Sequence, residues 1–277
     1  MMKIAILVLA HKPIYYYEQL ALENSDLLFF IHFDKKCNYP ETHLKNMIYI
    51  DKEYRVDVKW GGFSQVQAML NIFQYALSYS EEIEYFHLIS GEEVLLLSNN
   101  QVFEKLSWDT SEIFIELINS KPHRYRVRFP AIHVETKWQR KPLGKVVTLM
   151  LKILDKIFPT SKQIWFGSNW FSIKRNELLT LINHISQEDL TFFRKRLNPD
   201  EHFFQYLIIK AKLQKQVSEL GNKRSIIFDK NYNNGNNPIY LNLDQLVNIS
   251  NEHQYLFARK VHIKEQLEFF EKVNASV

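Results

Sequence analysis

Apolar residues fall along this chain in two kinds of run. "IAILVLAH" (4–11), "LLFFIHFD" (27–34) and "YFHLIS" (85–90) are nearly continuous apolar stretches of strand length. That pattern belongs to parallel strands covered on both faces, because a half-exposed strand would alternate. "EIFIELI" (112–118) and "IWFGSNWFSIK" (164–174) read as further strands. Between them apolar residues recur at helical spacing in "YYYEQLALE" (15–23), "SQVQAMLNIFQYAL" (64–77), "ELLTLINHI" (177–185), "FFQYLIIKAKL" (203–213) and "KEQLEFFEKV" (264–273). The alternation predicts an α/β fold with a mainly parallel sheet flanked by helices. No internal repeat or linker divides it, so residues 1–277 are expected to form one domain, with halves at about 1–120 and 160–277.

Two helix starts carry capping signatures. Ser64 and Gln67 have the spacing of a capping box, as do Asn198 and Glu201 in "LNPDEHFFQYLI" (197–208), where Pro199 suits the first helical position. Glu201 thus reads as a helix-start side chain, while a carboxylate there is also placed for chemistry. A third helix is predicted in "RKPLGKVVTLMLKILDKIF" (140–158). Leu143, Val146, Val147, Met150, Ile153, Leu154 and Ile157 form its apolar stripe, with Lys145, Lys152 and Lys156 off it. Two readings stand side by side: a surface helix packed on the core, or a helix lying on an anionic membrane near a lipid-linked glycan acceptor.

Composition narrows the class. A chain of 277 residues with 46% hydrophobic content buries a full core, and its seven glycines exclude low-complexity designs. The net charge of +4 suits an anionic ligand or membrane surface, and no nucleic-acid motif accompanies it. Cys37 is the only cysteine, which excludes an internal disulfide and a cysteine-based zinc site and fits a reducing compartment. "MMKIAILVLAHKP" has no small-residue cleavage site and reads as a buried first strand. No apolar stretch approaches the roughly 20 residues that span a bilayer. A cytoplasmic protein is expected, peripheral on the inner face of the plasma membrane if 140–158 binds lipid.

Ligands of such sheets sit at the carboxyl ends of strands. Here those ends carry His11 and Lys12, then Asp34, then Ser90-Gly91-Glu92-Glu93. An acid after the second strand can hold a ribose, but "AHKPIY" lacks the G-x-G-x-x-G of a dinucleotide site. There is no H-x-x-x-H and no D-x-D, so no metal or other cofactor is expected. No G-x-S-x-G elbow surrounds Ser168, and a glycosidase would need two facing carboxylates. Arg259 and Lys260 in "LFARK" (256–260) read either as a basic helix end or as a clamp on a phosphate group.

Seven motifs occur in order: "AHK" (10–12), "IHFD" (31–34), "WGGFSQVQA" (60–68), "LISGEEV" (88–94), "FGSNWFSIKR" (166–175), "NPDEHFF" (198–204) and "LFARK" (256–260). Together they resemble the core-2/I-branching β-1,6-N-acetylglucosaminyltransferases and the related peptide O-xylosyltransferases, in a compact bacterial-type form. The stretch from about 121 to 161 is poorly matched. The resemblance implies a GT-A-like fold, a UDP-sugar donor, inversion at the anomeric carbon and no metal ion. It places the catalytic base on Glu201 and the diphosphate-binding residues on Arg259 and Lys260. His11, Lys12 and Asp34 would lie in the nucleotide pocket, and Gly167, Ser168, Trp170 and Glu93 would line the donor–acceptor cleft. Glu116 is added as an acceptor-binding residue from its position at a strand end. The chain departs from the family where Glu93 replaces an aspartate and Ile239 a basic residue, for which Lys230 or Arg224 would substitute.

The expected activity is transfer of a sugar, N-acetylglucosamine first, from a UDP-sugar to a glycan hydroxyl with a β linkage, as in polysaccharide biosynthesis. Glu201, ionised at a helix N-terminus, would act as a weak base, and Arg259 and Lys260 would stabilise the leaving diphosphate. The alternatives are a UDP-xylose-dependent enzyme, or a non-catalytic sugar-nucleotide-binding or membrane-surface module.

Overall fold

The first two apolar runs lie side by side in the computed structural model, which describes residues 3–97, 113–232 and 237–275. Strand β1 (Lys3–Ala10) pairs in parallel with β2 (Leu27–Phe33) and with β4 (Ile83–Ser90), and β3 (Met47–Tyr49) extends the sheet beyond β2. Strands β9 (Ser172–Lys174) and β6 (Ile113–Phe114) complete a six-stranded sheet of order β3-β2-β1-β4-β9-β6, with β9 antiparallel to both neighbours.

The continuous apolar runs arise because each face of the sheet is covered. Ile4, Ile6 and Val8 face a core shared with helices α1 (Tyr15–Glu23), α8 (Leu243–Asn251) and α9 (Ile263–Ala275). Ala5 and Leu7 face the other core, with α2 (Phe63–Tyr79), α5 (Arg175–Asn183) and α7 (Phe203–Lys210). The first strand is therefore a core strand, as its sequence implies. Beyond β4 the chain turns through Gly91 and Glu92 into β5 (Glu93–Leu95), which joins β11 (Phe257–Arg259) and β10 (Arg224–Ile226) in a small second sheet. Strands β7 (Ile118–Asn119) and β8 (Trp165–Phe166) form a two-stranded ribbon. The arrangement is a single α/β domain with a mainly parallel sheet, of the GT-A-like kind.

Several local expectations give way to tertiary contacts. Helix α2 starts at Phe63 with Gly62 before it, so Ser64 is not a cap. Its amide donates instead to the Glu135 carboxylate at 2.6 Å. Asn198 has a left-handed backbone (φ 49°) and leads into a single 3-10 turn, Pro199–Glu201, after which α7 begins at Phe203. The expected Asn198–Glu201 capping box is therefore absent, and the Glu201 carboxylate turns to Arg126. Among the described residues, capping boxes form at Ser186 with Asp189, before α6 (Gln187–Phe193), and at Asn242 with Gln245, before α8. "EIFIELI" and "IWFGSNWFSIK" each break into two short strands belonging to different sheets. "LFARK" carries the strand β11 rather than a helix end, so its cations do not sit in the last turn of a helix.

The predicted helix in 140–158 forms as α4 (Pro142–Ile157), packed against the short α3 (Tyr125–Arg128). Its apolar stripe faces outward, with Leu143, Val146, Met150, Ile153, Leu154 and Ile157 all exposed. The reading of a core-packed stripe is corrected by this: the helix docks through its opposite side.

Arg175 ties the end of α2 to the start of β4 far from the carboxyl ends of the strands. Its guanidinium donates to the carbonyls of Leu77 at 3.1 Å, Ser80 at 3.0 Å and Ile83 at 3.2 Å. Arg175→Met leaves those carbonyls without their donor, and urea unfolding should show a loss of about 2 kcal/mol. A change within about 0.5 kcal/mol, the ordinary range of surface substitutions, would show that water replaces the guanidinium.

Candidate active site

A cleft of about 910 Å³ opens at the carboxyl ends of β1, β2 and β4. The strand ends deliver Leu9 to His11, His32, Asp34 and Ser90 to its floor, as parallel α/β sheets do. The segments that break the regular strands, Glu116 and Phe166 to Trp170, form one wall. The small second sheet supplies Arg224, Ile226 and Arg259.

One end of the cleft is built on two adjacent buried carboxylates. Glu92 accepts from Lys12 Nζ at 2.5 Å and Tyr240 Oη at 2.7 Å, and lies 3.1 Å from Lys260 Nζ. Burial alone would raise its pKa, but Lys12, Tyr240 and Lys260 together hold it down at about 2. Glu93 is paired in register with Arg259 across β5 and β11. It accepts from the Ser90 amide at 2.8 Å and Ser90 Oγ at 2.9 Å, with Arg224 Nε at 3.7 Å and Arg259 Nε at 4.0 Å. Arg224 is wholly buried and spends its guanidinium on the carbonyls of Leu88, Phe171 and Asn222. Arg259 lies over the Trp170 ring, 4.9 Å from its centroid. Four cations around two carboxylates leave a formal surplus of two positive charges.

The other end holds Glu201. Its carboxylate pairs with Arg126, which also lies over Phe166. Burial raises the Glu201 pKa, opposed by Arg126 and reinforced by nearby Glu116. This corrects the expectation of a helix-stabilised weak base. Asp200 beside it is buried with one carboxylate oxygen unpartnered, and burial together with the Glu201 charge pushes its pKa well up. Gly167 threads between Glu201 and Glu116. Its amide donates to the Glu201 carbonyl at 3.1 Å, and a Cβ at 167 would stand 2.1 Å from the Glu116 carbonyl oxygen. Only glycine fits there. The Glu116 carboxylate in turn accepts from the Ser168 amide at 2.9 Å.

Between these ends Asp34 accepts from the Lys36 amide at 3.0 Å, and His32 accepts from the Val56 amide at 3.1 Å. Burial lowers the His32 pKa to about 4, so at neutral pH it is an uncharged acceptor. Burial likewise lowers that of His11.

The cleft thus brings together nine of the residues singled out in the sequence: His11, Asp34, Glu116, Gly167, Ser168, Trp170, Glu201, Arg259 and Lys260. Lys12 and Glu93 stand behind its wall, Lys12 on Glu92 and Glu93 fully buried. Of the two substitutes for a basic residue at 239, Lys230 is exposed outside the cleft and Arg224 is engaged with backbone. Sequence reasoning missed Arg126, the anchoring role of Glu92, and the Trp60–Arg140 pair at the rim, where Arg140 lies 4.1 Å over the indole. The basic cluster "HRYRVRF" (123–129) was the only signal for Arg126.

Because the Glu92 pKa is depressed, its stabilising contribution is present above the unfolded value of 4.5 and is lost as pH falls towards about 2. Glu92→Gln should cost about 2 kcal/mol at pH 7, allowing for solvent screening at the cleft mouth. Urea titrations of both proteins at pH 7 and near pH 2 test this. The gap should close at low pH, and a gap that persists unchanged would locate the effect in packing.

The family model of the Core-2/I-Branching enzymes matches residues 4–230. No curated protein matches the chain significantly. The matched stretch contains Glu201 and most of the cleft, whereas Arg259 and Lys260 line the cleft but lie beyond the match. The chain belongs to the Core-2/I-branching enzyme family and is a glycosyltransferase.

Proposed function

We propose that the protein is an inverting, metal-independent transferase that moves N-acetylglucosamine from a UDP-sugar to a hydroxyl of a glycan acceptor, forming a β linkage. One observation carries the reading: a single cleft holds a net cationic end and, apart from it, a half-buried carboxylate of raised pKa. A UDP-sugar needs the first for its diphosphate and the acceptor hydroxyl needs the second.

In this reading the uridine ribose lies at Asp34, and the diphosphate faces Lys260 and Arg259. Charge grows on the diphosphate as the glycosidic bond breaks, and fixed cations stabilise it more in the transition state than in the bound donor. The acceptor hydroxyl approaches from the opposite face and gives its proton to Glu201. Arg126 holds the ionised carboxylate in place, and Asp200, kept neutral by its burial, adds no competing charge. Glu116 and the Ser168 amide shape the acceptor side.

Glu201→Gln keeps the size of the side chain but removes the base, so kcat should fall by about 10²–10⁴ with donor affinity nearly unchanged. The base works ionised and its pKa is raised, so kcat/KM should fall on the acid side at a pH above the 4.5 of an ordinary glutamate. UDP release across pH, with UDP-N-acetylglucosamine and UDP-xylose compared, provides both measurements. A fall of less than about tenfold in well-folded protein would remove Glu201 from the chemistry.

Transfer should also survive excess EDTA. Lys260→Ala should cost about 2–4 kcal/mol of transition-state stabilisation, the scale of single electrostatic groups in closed sites. If EDTA abolishes transfer and manganese restores it, the side-chain clamp is wrong.

A further inference from the structure

Helix α4 turns its buried side, Gly144, Leu151 and Asp155, to the protein. Gly144 lies so close to the preceding loop that a Cβ there would stand 2.2 Å from the Trp138 carbonyl oxygen. Asp155 accepts from Arg124 Nε at 2.9 Å and lies 3.1 Å from Arg128 Nη1. The one acid of the helix is thereby turned inward and neutralised.

The opposite side is apolar and uncovered. Val146, Met150, Ile153 and Ile157 follow one another at helical spacing there, Met150 58% and Ile157 61% exposed, and Phe158 adds its ring at the end. Exposed Lys145, Lys152 and Lys156 line one flank, and Lys141 precedes the first turn. Half-exposed Trp138 stands beside that turn. A soluble surface rarely leaves so long an apolar stripe open. A stripe bordered by lysines, with no outward acid, matches the acyl and anionic layers of a lipid surface. At 16 residues the helix lies on such a surface, and no helix among the described residues is long and apolar enough to cross a membrane.

We propose that α4 docks flat on an anionic membrane and holds the mouth of the cleft beside it. The link to the site is short. Arg140, two residues before the helix, lines the cleft and stacks on Trp60. Resting on the transferase reading above, this assigns the acceptor to glycans carried on a lipid anchor. The docking itself is independent of that reading.

Flotation with phosphatidylcholine vesicles, and with vesicles containing phosphatidylglycerol as well, tests it in low salt. Recovery with the anionic vesicles should be at least about tenfold higher, from several lysines each adding to surface attraction. The preference should shrink in about 0.5 M salt, where charge is screened. The double variant Met150→Glu, Ile153→Glu changes only exposed positions. It should lose flotation while keeping its melting temperature and its UDP release. Equal recovery with both vesicle types, or unchanged flotation of the variant, overturns the proposal. So does a lipid-free dimer that the variant converts to monomer without any flotation, since a second copy would then cover the stripe. Should vesicles bind while UDP-sugars are not turned over, docking stands and the transferase reading falls.

Discussion

Two neighbouring carboxylates, Glu92 and Glu93, sit buried in the turn where the central sheet gives way to the small one, and the cationic end of the cleft is assembled on them. Lysines and arginines repel one another, and four of them brought to one place without acids would open the structure. Glu92 gathers Lys12 and Lys260 from opposite ends of the chain, and Glu93 gathers Arg224 and Arg259. Gln266 of α9 fixes the same turn from behind, donating to the Gly91 carbonyl at 3.2 Å and the Glu93 carbonyl at 2.8 Å. The turn is thus held by the last helix, the first strand's end and both sheets at once. Its two acids leave part of the cationic charge uncompensated, which is the condition for binding a dianionic group without closing the site on itself.

The fold was legible where burial acts through simple periodicity. Continuous apolar runs such as Ile4–Ala10 carry their own explanation, because two covered faces demand apolar residues at every position. Short strands were not legible. β5, β10 and β11 have three residues each and are strands only through one another, β11 pairing with both β5 and β10. No local pattern encodes a pairing between positions so far apart. The capping boxes failed for the same reason. A carboxylate from residue 135 reaches the start of α2, and Arg126 draws Glu201 from its helix. Tertiary partners outweigh local ones when they offer a charge-assisted hydrogen bond in a partly buried place.

For the site, the motifs contain residues that line the cleft, such as Glu201, Gly167 and Trp170, together with Glu92 and Glu93, which hold its cations from behind, but not Arg126. Arg126 lies in the stretch where the resemblance is weakest, yet it balances the charge on Glu201. Burial raises the Glu201 pKa, whereas a helix N-terminus would have lowered it. The same sequence, read as a cap, therefore suggested the opposite sign of shift. Only the position of the carboxylate relative to the helix axis separates the two outcomes.

Helix α3 connects α4 to the cleft. Arg124 and Arg128 are four residues apart and share one face, from which both hold Asp155 of α4. Arg126 lies between them on the other side and holds Glu201. One short helix and the residue that precedes it thus anchor the exposed amphipathic helix through Arg124 and Arg128 and pair the cleft's carboxylate with Arg126. A short helix has little intrinsic stability of its own, so its geometry is set by what its arginines grip. The position of Arg126 is therefore tied, through α3, to the seating of α4, because Arg124 and Arg128 on either side of it are both held by Asp155.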